Sequence, residues 1–173
     1  MIVIVSGVSG SGKTTVGALL AGKLGWPFAD ADDFHSAANI AKMRARIPLT
    51  DADRLPWLHT IGAWMDKNIE QNESAVITCS ALKRSYRDEL LGGRPQAQMI
   101  FLDVDRQVLA ERLAARHGHF FPEQLLSSQF DALEHPQPDE RVICVPPGRD
   151  PAGTVANVIA ALWPQGGEHE AQA

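Results

Sequence analysis

The stretch "IVIVSGVSGSGKT", residues 2–14, constrains this chain more than any other. Ile2, Val3, Ile4 and Val5 form an apolar run without alternation, the pattern of a strand buried on both faces. The glycines that follow free the backbone to turn sharply into a helix, whose apolar face is set by Val16, Leu19, Leu20 and Leu24. Gly7, Gly12, Lys13 and Thr14 carry the spacing of a phosphate-binding loop. In such a loop the helix N-terminus offers partial positive charge, the lysine reaches the β and γ phosphates, and the Thr hydroxyl can ligand Mg²⁺. The expected nucleotide site is therefore Gly7, Ser9, Gly10, Ser11, Gly12, Lys13, Thr14 and Thr15, with Thr14 as the metal ligand. A plain strand-to-helix connector would not need all these residues at this spacing.

Further strand-like runs occur at 27–30, 75–79, 99–104 and 142–145, separated by helix-period segments at 14–24, 55–71, 84–91, 105–116, 123–133 and 151–163. This alternation predicts a three-layer α/β fold with a five-stranded parallel sheet and helices on both faces. With 173 residues and 45% hydrophobic content, one domain is expected over 1–164, followed by a frayed tail at 165–173. No apolar stretch approaches a membrane span, and Met1 leads directly into the first strand, so a cytoplasmic protein is expected. A net charge of −5 argues against nonspecific nucleic-acid binding, while local basic clusters at "KMRAR" and "ALKRSYR" suit small anionic ligands. Cys79 and Cys144 sit in apolar runs and are expected as buried free thiols.

Thr50 and Asp53 resemble a capping box, but Pro56 should interrupt a helix begun there, so a turn is expected first and the main helix from about Leu55. Trp57 and Trp64 read as packing residues beside its apolar face. Asp150 before Pro151 should start the last helix.

The phosphate loop alone permits a kinase, a hydrolase or a nucleotide-controlled switch. The stretch "DADDFH", residues 30–35, discriminates among them, because it ends the second strand where open α/β sheets place their ligands. A carboxylate there would repel a phosphate acceptor but can accept the proton of an attacking hydroxyl or hold water on a metal. An Asp-rich cap before a helix at Ser36 would explain one of these acids, not three.

With these residues in view the chain closely resembles the gluconate kinase (gluconokinase) family, P-loop kinases related to shikimate kinase and the nucleoside monophosphate kinases. The resemblance rests on "GVSGSGKTTVG", "DADDFH", "KMRARIPLTDADRLPWL", "CSALKRSYRDEL" and "ARHGHFFPEQLLSSQFDALEHP", and covers nearly the whole chain. It implies transfer of the ATP γ-phosphoryl group to the 6-hydroxyl of D-gluconate, with Mg²⁺, in a homodimer. It also implies catalytic roles for Lys13, Asp32 and Arg116, and an acceptor pocket built from Asp32, His35, Arg54, Lys83 and Arg84. Chemically the set fits a polyol carboxylate, since guanidinium forks bind carboxylates bidentately.

Residues 112–136 resemble the helical lid of this superfamily. Arg112 and Arg116 share one helix face, Arg116 matching the lid arginine, with Gly118 between His117 and His119 as a hinge. Leu125, Leu126, Phe130 and Leu133 are expected to pack the lid helix, and "PPGRD", residues 146–150, resembles the loop beside the adenine. The chain departs from the wider P-loop plan after "AVITC", where Cys79 and Ser80 replace a strand-terminal aspartate; metal positioning is then expected to fall to Thr14, water and the Asp30/Asp32 pair. A kinase for another hydroxy acid such as shikimate, or a nucleotide switch without turnover, are the alternative readings.

Overall fold

A computed structural model describes residues 1–114 and 123–164, the side chains of 112–114 and 123–127 excepted. Arg116, His117, Gly118, His119 and the tail at 165–173 lie outside the described residues, as do the side chains of Arg112, Leu125 and Leu126.

The five strands are β1 (Ile2–Ser6), β2 (Phe28–Asp30), β3 (Ala75–Thr78), β4 (Ala97–Leu102) and β5 (Val142–Val145). The helices are α1 (Lys13–Leu24), α2 (Ala37–Arg44), α3 (Asp51–Glu70), α4 (Arg84–Leu91), α5 (Arg106–Ala114), α6 (Glu123–Ala132) and α7 (Pro151–Leu162), with a 3₁₀ turn at Ala31–Phe34. The sheet order is β2-β3-β1-β4-β5 and every pairing is parallel. All carboxyl ends therefore face one edge, which gathers the phosphate loop, Asp30, Cys79 and Asp103.

Both faces of β1 are sealed, as its unalternating sequence predicts. Ile2 and Ile4 pack with Leu58, Ile61 and Met65 of α3 and Leu90 of α4. Val3 and Val5 point the other way, to Val16 and Leu20 of α1, Leu109 of α5 and Val155 and Val158 of α7. Burial of each such side chain contributes ~1.5–3 kcal/mol, which makes the central strand the firmest support available for a loop that must hold its shape.

Two sequence expectations are corrected. α3 is one continuous helix from Asp51 to Glu70 with Pro56 inside it. The capping box closes, with Asp53 N–H donating to Thr50 Oγ1 at 3.3 Å and Thr50 N–H to Asp53 Oδ2 at 2.9 Å, and Lys42 pairs with Asp53 at 2.6 Å. That anchored start offsets the single backbone bond that the proline cannot donate. Cys144 is exposed, because β5 is an edge strand and helices do not cover its whole length, whereas Cys79 is buried. α2 stands where the sequence allows a helix at Ser36, with only Asn39 buried among its residues; Ser36 caps it by accepting from Asn39 N–H at 3.1 Å.

Among the described residues the most deeply buried charges form a pair outside the sheet. Arg87 of α4 and Glu140 are 1% and 2% exposed and bond at 2.6 and 2.9 Å, and Arg87 also donates to the carbonyls of Leu82 and Glu134 at 3.0 and 2.8 Å. Its hydrogen bonds to Arg87, more than burial opposes, hold the Glu140 carboxyl below the usual carboxylate range. That stabilisation is present above the unfolded pKa of about 4.3 and is lost as pH falls through the lower folded value. Glu140→Ala, which strands the guanidinium in the interior, should cost ~3–5 kcal/mol in urea unfolding at pH 7. A loss below 1 kcal/mol would mean that water or a neighbour replaces the carboxylate.

Candidate active site

The phosphate loop is built by three glycines at positive φ, Gly7, Gly10 and Gly12, where a side chain would be strained. Gly12, the residue before α1, has φ +97°, and Gly7, at φ +141°, leaves no room for a Cβ: Ser11 Oγ would stand 2.9 Å away and the Leu102 carbonyl 3.1 Å. α1 thus starts without a side-chain cap, and its first N–H groups have no partners within the helix. Ser11 Oγ is also buried with no protein partner. An uncapped helix start, an orphaned hydroxyl and a lysine in one loop fit an anion with several oxygens.

Lys13 is half-buried, and its Nζ donates to the Val8 carbonyl at 3.0 Å. Burial pulls its pKa below the ordinary lysine value, against the charges of Asp32 and Asp30, which face it from the end of β2. Thr14 Oγ1 donates to Asp30 Oδ2 at 2.9 Å, and Asp30 Oδ1 accepts from Asp32 N–H at 3.1 Å while capping the 3₁₀ turn. Both Asp30 oxygens are thereby engaged beside Thr14.

Asp32 is placed differently. Its side chain is 85% exposed to the cleft, caps no helix, and approaches His35 Nε2 only at 4.0 Å. The partial desolvation it meets in the cleft raises its pKa, the Asp30 charge adds to this, and His35 and Lys13 oppose it. His35, 6% exposed, lies flat on Trp57 with ring centroids 4.4 Å apart, and burial lowers its pKa despite Asp32. Trp57 Nε1 donates to the Ala31 carbonyl at 2.7 Å, so α3 pins the turn that presents Asp32.

Arg54 and Lys83 converge from α3 and from the residue before α4. They flank the Tyr86 ring at 5.8 and 5.5 Å, and Arg54 donates to the Tyr86 hydroxyl at 3.2 Å. Asp51 occupies this cradle: both oxygens accept from Lys83 Nζ at 2.8 Å, and Oδ1 also accepts the Tyr86 hydroxyl proton. Those bonds hold the Asp51 carboxyl below, and the Lys83 ammonium above, their ordinary values. Arg84, expected beside Lys83, does not join it. It makes a bidentate pair with Asp139 at 3.1 and 2.8 Å, and Asp88 lies 3.7 Å away.

Asp51 and Tyr86 were missed in the sequence reading. They stand within the stretches that carry the family resemblance, yet 35 residues separate them and no spacing rule joins them. At the strand end where other P-loop proteins place an aspartate, burial pushes the Cys79 thiol up to about 12, so it stays neutral and supplies no anion. Oxygen donors near Thr14 come from Thr14 and Asp30. Among the described residues there is no group of three or more His, Cys, Asp or Glu side chains able to hold a metal. This sparse set suits Mg²⁺, which keeps water and phosphate oxygens as ligands. Among the described residues no helix is long and apolar enough to cross a membrane.

A family model described as an AAA domain matches residues 2–136. A gluconokinase from Gluconobacter oxydans is 47% identical over 156 residues, covering 90% of this chain and 88% of the relative. A thermosensitive gluconokinase from Escherichia coli is 48% identical over 140 residues, covering 81% and 75%. The crystal structure of a gluconokinase from Sinorhizobium meliloti superimposes with a TM-score of 0.82 at 43% identity, covering 92% of this chain and 90% of that one.

Proposed function

The chain belongs to the gluconokinase family of P-loop kinases, and from that premise we propose that it transfers the γ-phosphoryl group of ATP to the 6-hydroxyl of D-gluconate, giving 6-phospho-D-gluconate and ADP. The observation that carries the reading is the division of labour between two carboxylates at one sheet edge. Asp30 is tied to Thr14, and Asp32 stands free in the cleft near Lys13 and His35.

Each group then has a chemical task. The phosphate loop and Lys13 bind the β and γ phosphates; Thr14, with Asp30 behind it, holds Mg²⁺, which when bound neutralises phosphate charge. Asp32 orients the acceptor hydroxyl and takes its proton as the new P–O bond forms. Its raised pKa makes it a stronger base than an ordinary aspartate. His35 is a neutral hydrogen-bonding partner for the polyol, fixed by its stack on Trp57. Arg54, Lys83 and Tyr86 receive the acceptor's carboxylate. Arg116 supplies positive charge to the transferring group. The reaction belongs in the cytoplasm, and the enzyme acts as a homodimer.

The acceptor is tested by coupled ADP release with gluconate, shikimate, glycerate and nucleoside monophosphates. Gluconate alone should give rapid turnover; a faster rate with another acceptor, or none with any, overturns the assignment. Asp51 gives a sharper check, because the substrate carboxylate must displace it from Lys83. Asp51→Asn should lower the KM for gluconate about two- to fivefold with kcat unchanged, the scale of an exposed ion pair. A raised KM would instead make Asp51 a ligand of the acceptor hydroxyls.

A further inference from the structure

α6 and the turn behind it touch both sides of the cleft. At the nucleotide side, half-buried Gln129 accepts the Ser9 backbone N–H through Oε1 at 2.6 Å, a bond across 120 residues into the phosphate loop itself. Phe130 and Leu133 seat this end of α6 on the α1 face of the core. A few residues later the chain locks onto the turn that presents Lys83. Glu134 N–H donates to the Leu82 carbonyl at 2.9 Å, Glu134 Oε2 accepts from Arg84 N–H at 2.7 Å, and the buried Arg87–Glu140 pair closes the junction.

One short strap thus holds a backbone N–H of the nucleotide loop at one end and the acceptor-side turn at the other. We propose that this strap, Gln129 to Glu140, couples the two substrate sites, with Gln129 as a positioning residue that touches neither substrate. The proposal rests on the phosphotransfer reading above. Glutamine suits the place: its carbonyl fixes Ser9 without bringing negative charge beside the phosphates. When the loop closes on a triphosphate, Ser9 moves Gln129, and Glu134 carries that shift to the backbone around Lys83. Coupling of this kind is reciprocal: each ligand must tighten the other by the same factor.

The test is calorimetric titration of D-gluconate and of a non-hydrolysable imido analogue of ATP with Mg²⁺, each alone and each with the other saturating. In the wild type each Kd should fall by the same factor, about fivefold or more. Gln129→Met, similar in size but lacking the acceptor, should keep both single-ligand Kd values within about twofold and reduce the factor to between one and two. Glu134→Ala should do the same from the opposite end, and gives a second reading should either variant fold poorly. A lowered Tm with full coupling in both variants, or no coupling in the wild type, overturns the proposal and leaves the function intact. No gluconate binding in any state, with no gluconate-dependent ADP release, overturns the function and the coupling together.

Discussion

Lys13→Ala is expected to abolish phosphotransfer in a protein that folds normally. Lys13 opens α1 and donates to the Val8 carbonyl of its own loop. Burial depresses its pKa, so the folded protein bears a cost for keeping this charge and loses little when it is removed. An ammonium placed beside the developing phosphate charge has a large effect. Loss of a single preorganised donor typically costs 10²–10³ in rate, and a full charge should cost at least ~10³ here. The checks are gluconate-dependent ADP release and the thermal midpoint, which should stay within a few degrees or rise. Wild-type rates from a folded variant would remove Lys13 from the chemistry.

Asp32→Asn should cripple turnover while sparing ATP binding. The asparagine keeps the shape and one acceptor oxygen but cannot take a proton, and general-base assistance is worth ~10²–10⁴ in rate. The pH profile separates this role from simple orientation. Asp32 must be ionised to accept the proton, so wild-type kcat should fall as the pH drops through its raised pKa, above the usual aspartate range. In Asp32→Asn that acid limb should vanish along with most of the rate. Wild-type kcat in the variant would pass the role to bound water, since both Asp30 oxygens already serve Thr14 and the Asp32 backbone.

What could be read from the sequence was set by range. The phosphate loop and β1 were legible because their determinants are local: glycine conformation, lysine spacing and an unbroken β-branched run. Pro56 misled because a proline signals a break from one position, whereas the cap and the Lys42–Asp53 pair that hold α3 together combine two segments. Arg84 looked equivalent to Lys83 until the fold brought Asp139 to its guanidinium. Cys144 looked buried because periodicity cannot reveal which strand forms the sheet edge. Asp51, Tyr86 and Gln129 carry no signal in spacing at all, since each gains its role from a partner at least 32 residues away.

The position of β1 in the sheet has a consequence for biosynthesis. Ile2 faces Ala75 on one side and Ala97 on the other, so the strand that ends up central is translated long before either neighbour exists. At ordinary ribosomal rates its apolar run waits on the order of 5–20 s for the second partner, exposed on both flanks. The phosphate loop, though encoded beside β1, meets part of its surroundings only after β4 has emerged, since the Leu102 carbonyl bounds the space beside Gly7 where a Cβ would stand. Nascent chains halted before residue 97 should therefore associate with chaperones through β1 and fail to retain nucleotide, and solubility and ATP retention should both wait until α5 and α7, which cover the second face of β1, have also emerged.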